Sequence, residues 1–249
     1  MILKRHIVKL KPGKIDCFIP CRKKGDFINN LNFLELEGLQ LVEHSIIIAK
    51  KSNIFNNIYI ITNDKESANI LLMKYSYLKL IIVKNTQEPF YLMIKKINKR
   101  KIDFSSSICV LLPNYPFKSV TTIKNIFLEY KKRKTNLLLS VVILNNFFYN
   151  NKLSFINGVN FSNKIKNKKD IDPLYKVAGG IFFYNKKFQN IKMNKFFKKE
   201  IYLVNEHESF GIYSLYDFIK ASSLFNIDSS ILNKLIKNNH QPIQKKIIN

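Results

Sequence analysis

A chain of 249 residues that is 46% apolar can bury a full hydrophobic core, and an α/β unit of this size is commonly one domain. No apolar run reaches the about 18 to 20 residues of a membrane span, and the opening Met1 to Lys14 lacks the apolar stretch and cleavage site of a signal peptide, so the expectation is a cytoplasmic protein with no membrane partner. The net charge of +25 raises nucleic-acid binding as a class of function that the distribution of cations has to answer.

In chain order, Ile15 to Ile19 reads as a short strand, Leu41 to Lys51 as a helix, Ile58 to Thr62 as a strand and Lys65 to Tyr75 as a helix with apolar residues at helical spacing. Leu80 to Val83 follows as a strand, Tyr91 to Asn98 as a helix, and Ile108 to Leu112 as a wholly apolar strand suited to a sheet covered on both faces. Val120 to Lys132 is the next helix and Leu137 to Leu144 the next buried strand. From Asn145 to Asp172 the pattern breaks into polar, asparagine-rich sequence, as in a small lid or dimerisation arm. Regular structure resumes with strands at Gly180 to Tyr184 and Ile201 to Val204 and ends with a helix from Leu215 to Leu224. The alternation predicts one α/β domain over 1–238, a Rossmann-like, open, mostly parallel sheet with helices on both faces, and a loose tail over 239–249.

In such a sheet, ligands sit beyond the carboxyl ends of the strands. The first strand runs through Pro20 and Cys21 into the basic, glycine-containing loop Arg22-Lys23-Lys24-Gly25, where backbone N–H groups and cations can converge on phosphates. Asp64 and Pro113 to Lys118 fall at the same edge. Each has a plainer reading: Lys23 and Lys24 as solvated surface in a lysine-rich chain, Asp64 as the N-cap of the helix after it, and the Ala178-Gly179-Gly180 run as close backbone packing.

The segment from Cys17 to Ile46 resembles the opening of the acylneuraminate cytidylyltransferases, I-P-A-R-x-G-S-K-x-I-P-x-K-N, with Ile19, Pro20, Arg22, Ile28, Asn32, Gly38, Leu41, Glu43 and Ile46 on matching positions. Ile58 to Ile70 is similar to the second strand and its S-T-D-x-E-E-I-A continuation, and Cys109 to Ser119 to the P-T-x-P-[LF]-x-R turn. Asp170 to Phe183 resembles Q-D-L-E-P-x-Y-x-x-A-G-x-F-Y, the form of the pseudaminic acid branch. Gly211 to Ala221 occupies the place of D-I-D-T-x-E-D-x-x-x-A.

The resemblance implies transfer of CMP from CTP to a nonulosonic acid, an acidic nine-carbon sugar, with release of pyrophosphate and with Mg²⁺ arriving with the nucleotide. It further implies that Arg22 and Lys118 act as catalytic cations and that Pro20, Cys21, Arg22, Lys23, Lys24, Gly25, Asn32 and Asp64 line the nucleotide. Asp170, Tyr175 and Gly179 would face the sugar, and a homodimer is implied with them. Departures accompany the matches. The family's lysines are lost at Asp26 and Leu31, and its metal-binding carboxylates read Gly211 and Tyr213, leaving Glu206 and Glu208 as displaced candidates.

Two other readings compete. One is a family member that has lost its chemistry and binds a nucleotide or a partner; the other is a basic nucleic-acid-binding protein. Against the latter, the only arginines are Arg5, Arg22, Arg100 and Arg133, whereas a polyanion surface favours arginine, which forks onto phosphate and stacks on bases. Cys17, Cys21 and Cys109 lack paired metal spacing and are expected to be reduced thiols, and His6, His44, His207 and His240 show no metal-site spacing.

Overall fold

The computed structural model describes residues 15–22, 28–83, 105–144, 174–185 and 198–225. The expected helix over Tyr91 to Asn98, the expected arm over Asn145 to Asp172, the tail, and Lys23, Lys24, Gly25 and Asp170 lie outside these residues.

The described chain forms a seven-stranded sheet and a two-stranded hairpin. In chain order the elements are β1 (Ile15–Pro20), a 3₁₀ turn (Leu31–Phe33), β2 (Glu35–Leu36), β3 (Leu39–Gln40), α1 (Leu41–Ser52), β4 (Ile58–Thr62), α2 (Lys65–Lys74) and β5 (Leu78–Ile82). They continue with β6 (Ser107–Leu111), α3 (Val120–Arg133), β7 (Leu137–Leu144), β8 (Leu174–Asn185), β9 (Lys199–Leu203) and α4 (Leu215–Phe225). The strand order is β5-β4-β1-β6-β8-β7-β9, and only β8 runs against its neighbours. The sheet is therefore open and mostly parallel, as its runs of isoleucine, leucine and valine require.

Alternation along the strands sorts the core. Ile15, Cys17 and Ile19 point to one face, where they join Val42, Ile46 and Ala49 of α1, Leu71 of α2 and Ile123, Ile126 and Phe127 of α3. Phe18, Tyr59, Ile61, Ile108 and Val110 point to the other face, which is also buried. A large side chain as fully enclosed as Phe18 or Phe183 stabilises the fold by about 1.5 to 3 kcal/mol relative to exposure. A third cluster, Leu36, Leu41, Phe117, Ile212 and Ala221, fastens α4 and the turn before it over the strand ends.

The structure differs from expectation at β5 and β9, which begin two residues early at Leu78 and Lys199, at β8 and at the hairpin before α1. β8 begins at Leu174, six residues before the expected Gly180, because the paired glycines do not end the strand. Gly179 (φ +74°) and Gly180 (φ +61°) carry it through a bulge opposite Leu139 to Val141. The β2–β3 hairpin turns at Glu37 and Gly38, both at positive φ, the geometry of a two-residue type I′ turn.

Candidate functional site at the strand ends

Topology selects the site before chemistry does. From β1 the chain moves outward to β4 and β5, then returns to β6 on the other side of β1. The sheet order thus reverses between β1 and β6, and the crevice beyond their carboxyl ends is where open α/β sheets hold ligands.

On the β1 side, the backbone N–H of Cys21 donates to Ile61 O at 2.8 Å and prolongs the ladder by one residue past Pro20. Cys21 is buried and burial pushes its thiol pKa far up, so it packs as a small apolar group and serves no nucleophilic role. Cys17 and Cys109 are likewise buried, and all three are free thiols. Arg22 follows at the rim, partly exposed, and its carbonyl accepts a 2.9 Å hydrogen bond from Asn32 Nδ2. Asn32 sits in the 3₁₀ turn behind Asn30, which holds a left-handed backbone. One amide therefore ties the 3₁₀ turn to the residue that follows β1 by two positions.

At β4 the polar residues serve the helix that follows. Thr62 Oγ1 accepts the N–H of Asp64 at 3.0 Å. The Asp64 carboxylate accepts Glu66 N–H at 3.2 Å and the Ser67 hydroxyl at 2.6 Å, which is N-capping of α2.

On the β6 side, Leu112 to Ser119 form a turn tied together from within. Lys118, 4% exposed, donates through Nζ to Leu112 O at 2.7 Å and to Tyr115 O. Burial lowers its pKa from an ordinary 10.5 to about 7, against the opposing pull of Cys17, Cys109 and Glu208. The expected catalytic cation is thus directed onto the carbonyls of its own turn. Glu208 is buried and accepts from Ser119 N–H (3.2 Å), Thr122 Oγ1 (2.7 Å) and Asn205 Nδ2 (3.2 Å), so its carboxylate is spent on the positive N-terminus of α3. Glu206, by contrast, is exposed on the same turn.

The segment standing where the resemblance puts metal carboxylates lies against this turn. Ile212 N–H donates to Asn114 O at 2.8 Å, and Asn114 Nδ2 donates back to Ile212 O at 3.5 Å. Tyr115 fills the space between Gly180 and Gly211: a Cβ on either glycine would come within 2.6 Å or 2.8 Å of its ring. Its hydroxyl is hydrogen-bonded to that of Tyr213, with the rings edge to face at 6.1 Å. Asp217 accepts the N–H groups of Tyr213 (3.1 Å) and Ser214 (2.9 Å) and so starts α4.

The residues expected at the sugar divide. Tyr175 is exposed and pairs with Ile143, on the stretch of β7 and β8 that continues past the last residue of β6. Gly179 is enclosed, with Val204 and Ser140 within 3.4 Å of where its Cβ would stand. Among the described residues no group of three or more histidines, cysteines or carboxylates is placed to hold a metal, and no helix is long and apolar enough to cross a membrane. Sequence reasoning missed the Tyr115–Tyr213 pair, because nothing local links residues 98 positions apart.

No protein-family model and no curated protein matches the chain. Solved structures do match in shape. A CMP:2-keto-3-deoxy-manno-octonic acid synthetase complexed with CTP superposes with a TM-score of 0.64 at 11% identity, covering 86% of this chain and 98% of that one. The 4-diphosphocytidyl-2C-methyl-D-erythritol synthase of Anaerococcus prevotii DSM 20548 gives 0.62 at 13% identity, covering 85% and 97%. The chain therefore has the α/β fold of these two synthetases over nearly their full length.

Proposed function

We propose that this chain is a cytidylyltransferase-like protein that binds CTP in the β1–β6 crevice and transfers CMP to a nonulosonic acid of the sialic or pseudaminic type, releasing pyrophosphate. The observation that carries the reading is the placement of Pro20 to Arg22 and of the Leu112 to Lys118 turn on the two sides of the point where the sheet order reverses. The shared fold supports it, since both synthetases are named for cytidylyl products and one was captured with CTP.

In this reading the anomeric hydroxyl of the sugar attacks the α-phosphate in line and the bond to pyrophosphate breaks. Such a reaction needs positioning and cationic charge more than covalent help from the protein. Arg22, with Lys23 and Lys24, supplies charge to the triphosphate. Asn32 sets the direction of Arg22 through its carbonyl. Lys118 acts through the turn it ties and not by contact. Asp170 and Tyr175 are the proposed sugar contacts, and a homodimer in the cytoplasm completes the proposal. Mg²⁺ would supply charge neutralisation along the phosphates. Among the described residues, Gly211, Tyr213 and the committed Glu208 offer it no carboxylate and the exposed Glu206 has no second ligand grouped with it, so the donor set does not fit a protein-held ion and no step is assigned to it.

The same mismatch favours a second reading, in which the chain binds the nucleotide without turnover. Pyrophosphate release from CTP, measured with purified protein against a panel of nonulosonic acids, separates the two. Release with at least one sugar, lost in Arg22→Ala, is the expected result. CTP binding without release for any sugar would establish the second reading, and absence of CTP binding would refute both.

A further inference from the structure

The phenol pair at the strand ends has an asymmetry with a chemical consequence. Tyr115 is buried while Tyr213 is 42% exposed, and their hydroxyls are bonded to each other. Each hydroxyl has one proton. If Tyr213 were the donor, the proton of Tyr115 would be left in a buried place where no described residue accepts it, at the desolvation cost of an unsatisfied polar group. Tyr115 therefore donates and Tyr213 accepts, which turns the proton of Tyr213 outward to the accessible side. The arrangement is built into the fold: Tyr115 is seated against Gly180 and Gly211, neither of which has room for a Cβ. Tyr213 is held beside it by Asp217 and by the reciprocal Asn114–Ile212 bonds.

We propose that the Tyr213 hydroxyl donates a hydrogen bond to a phosphate oxygen of the ligand in the β1–β6 crevice, so that this chain reads phosphate directly where a carboxylate would need an intervening cation. The inference rests on the cytidine-nucleotide reading for the identity of the ligand, and on the Tyr115–Tyr213 geometry for the contact itself. A carboxylate accepts and repels phosphate unless a metal lies between them, whereas a neutral phenol donates. Phosphate binding in this crevice therefore does not depend on a metal held by the protein.

The test is calorimetric titration of the full chain with CTP and with inorganic pyrophosphate, each in Mg²⁺ and in EDTA, for wild type, Tyr213→Phe and Tyr115→Phe. Wild type is expected to keep its CTP affinity in EDTA to within a few-fold. Tyr213→Phe, which keeps the ring and whose melting temperature serves as the folding control, should bind both ligands about 10-fold to 100-fold more weakly, as for a hydrogen bond to a charged group. Tyr115→Phe should show a smaller loss, since it only frees the Tyr213 proton to rotate. If CTP binds wild type and Tyr213→Phe equally, or binds wild type only with Mg²⁺, the inference fails while the nucleotide reading stands. Pyrophosphate binding that depends on Tyr213 without CTP binding would leave the contact and remove the nucleotide. Binding of neither ligand would overturn both.

Discussion

Lys118→Met should change how the stability of this protein depends on pH, and the direction follows from burial. The folded chain holds the Lys118 amine at a pKa of about 7, while an unfolded chain returns it to an ordinary 10.5. Between those values unfolding takes up a proton, so stability rises as pH rises from 7. The slope from one group is at most about 1.4 kcal/mol per pH unit, which gives about 2 kcal/mol between pH 7 and pH 9 after allowing for partial titration near the lower end. Tyr115 is pushed the other way, by burial and by its bond to Tyr213, so its folded pKa lies above the ordinary 10 and its contribution is lost only in more alkaline solution. Cys17, Cys21 and Cys109, whose thiols burial pushes up from an ordinary 9, lose stability as pH nears 9 in wild type and mutant alike, so the wild-type-minus-mutant difference from pH 7 to pH 9 isolates the lysine. Methionine has a similar length, is neutral throughout, and abandons the carbonyls of Leu112 and Tyr115. Its cost relative to wild type should be small at pH 7, where wild type bears the burial of a partly charged amine, and about 2 kcal/mol larger at pH 9. Urea unfolding of both proteins at half-unit pH steps measures the difference. A wild-type-minus-mutant stability that stays flat from pH 7 to pH 9 would show that the amine is solvated and refute the buried tie.

Arg22→Ala should weaken CTP binding by about 1.5 to 3 kcal/mol, the range for hydrogen bonds to a charged group, and calorimetry that finds no change removes Arg22 from the site. Gly180→Ala should destabilise the fold by about 2 to 4 kcal/mol in a denaturant titration, since it combines a side chain at φ +61° with a clash on Tyr115 and Leu112. Glu208→Gln should cost about 1 to 2 kcal/mol of stability through the N-terminus of α3 and leave any Mg²⁺ requirement where it was; a shifted metal requirement would return Glu208 to metal chemistry. Binding to duplex DNA or RNA should be non-specific and fall away as salt rises from 50 to 200 mM in a filter assay, and sequence-dependent binding that survives would make the charge of +25 functional.

The fold was legible because its strands are apolar enough to be found without help. Ile58–Thr62 and Leu137–Leu144 have the expected bounds, and the helices at Leu41–Ser52, Val120–Arg133 and Leu215–Phe225 lie within a residue of theirs. β8 was harder to read because its glycines look like a stop, and only the pairing with β6 and β7 shows that the strand runs through them. The strand ends that flank the reversal were legible as positions, and the chemistry of the side chains there less so. Arg22 and the turn before Ser119 do flank the reversal in strand order, which the alternation of strands and helices already implied. The direction of the Lys118 amine was not readable, because a lysine at the end of a strand looks the same whether it faces a ligand or its own backbone.

That ambiguity extends to every ionisable residue at this edge, and its resolution follows one physical rule. Strand ends that feed helices leave unpaired N–H groups, and turns leave unpaired carbonyls, each costly to bury without a partner. Asp64 answers the N–H groups of α2, Glu208 those of α3, Asp217 those of α4, and Lys118 the carbonyls of the β6 turn. Asp64, Glu208 and Lys118, which read as candidate chemistry, thus serve the backbone first, as does the amide of Asn32 toward Arg22. Arg22 and the outward proton of Tyr213 stand at the same rim, a cation and a neutral donor, both suited to an anion. The Tyr213→Asp exchange puts the rule to a sharp use. It replaces the donor with an acceptor on an exposed turn that Asp217 already holds, and because it also takes from Tyr115 its hydroxyl and ring partner, the melting temperature should fall by several degrees while the fold is retained. Phosphate affinity in EDTA should then drop at least as far as in Tyr213→Phe, and added Mg²⁺ should restore part of it by bridging carboxylate and phosphate. A Tyr213→Asp protein that binds CTP in EDTA as wild type does would mean that the ligand never reaches this side of the crevice.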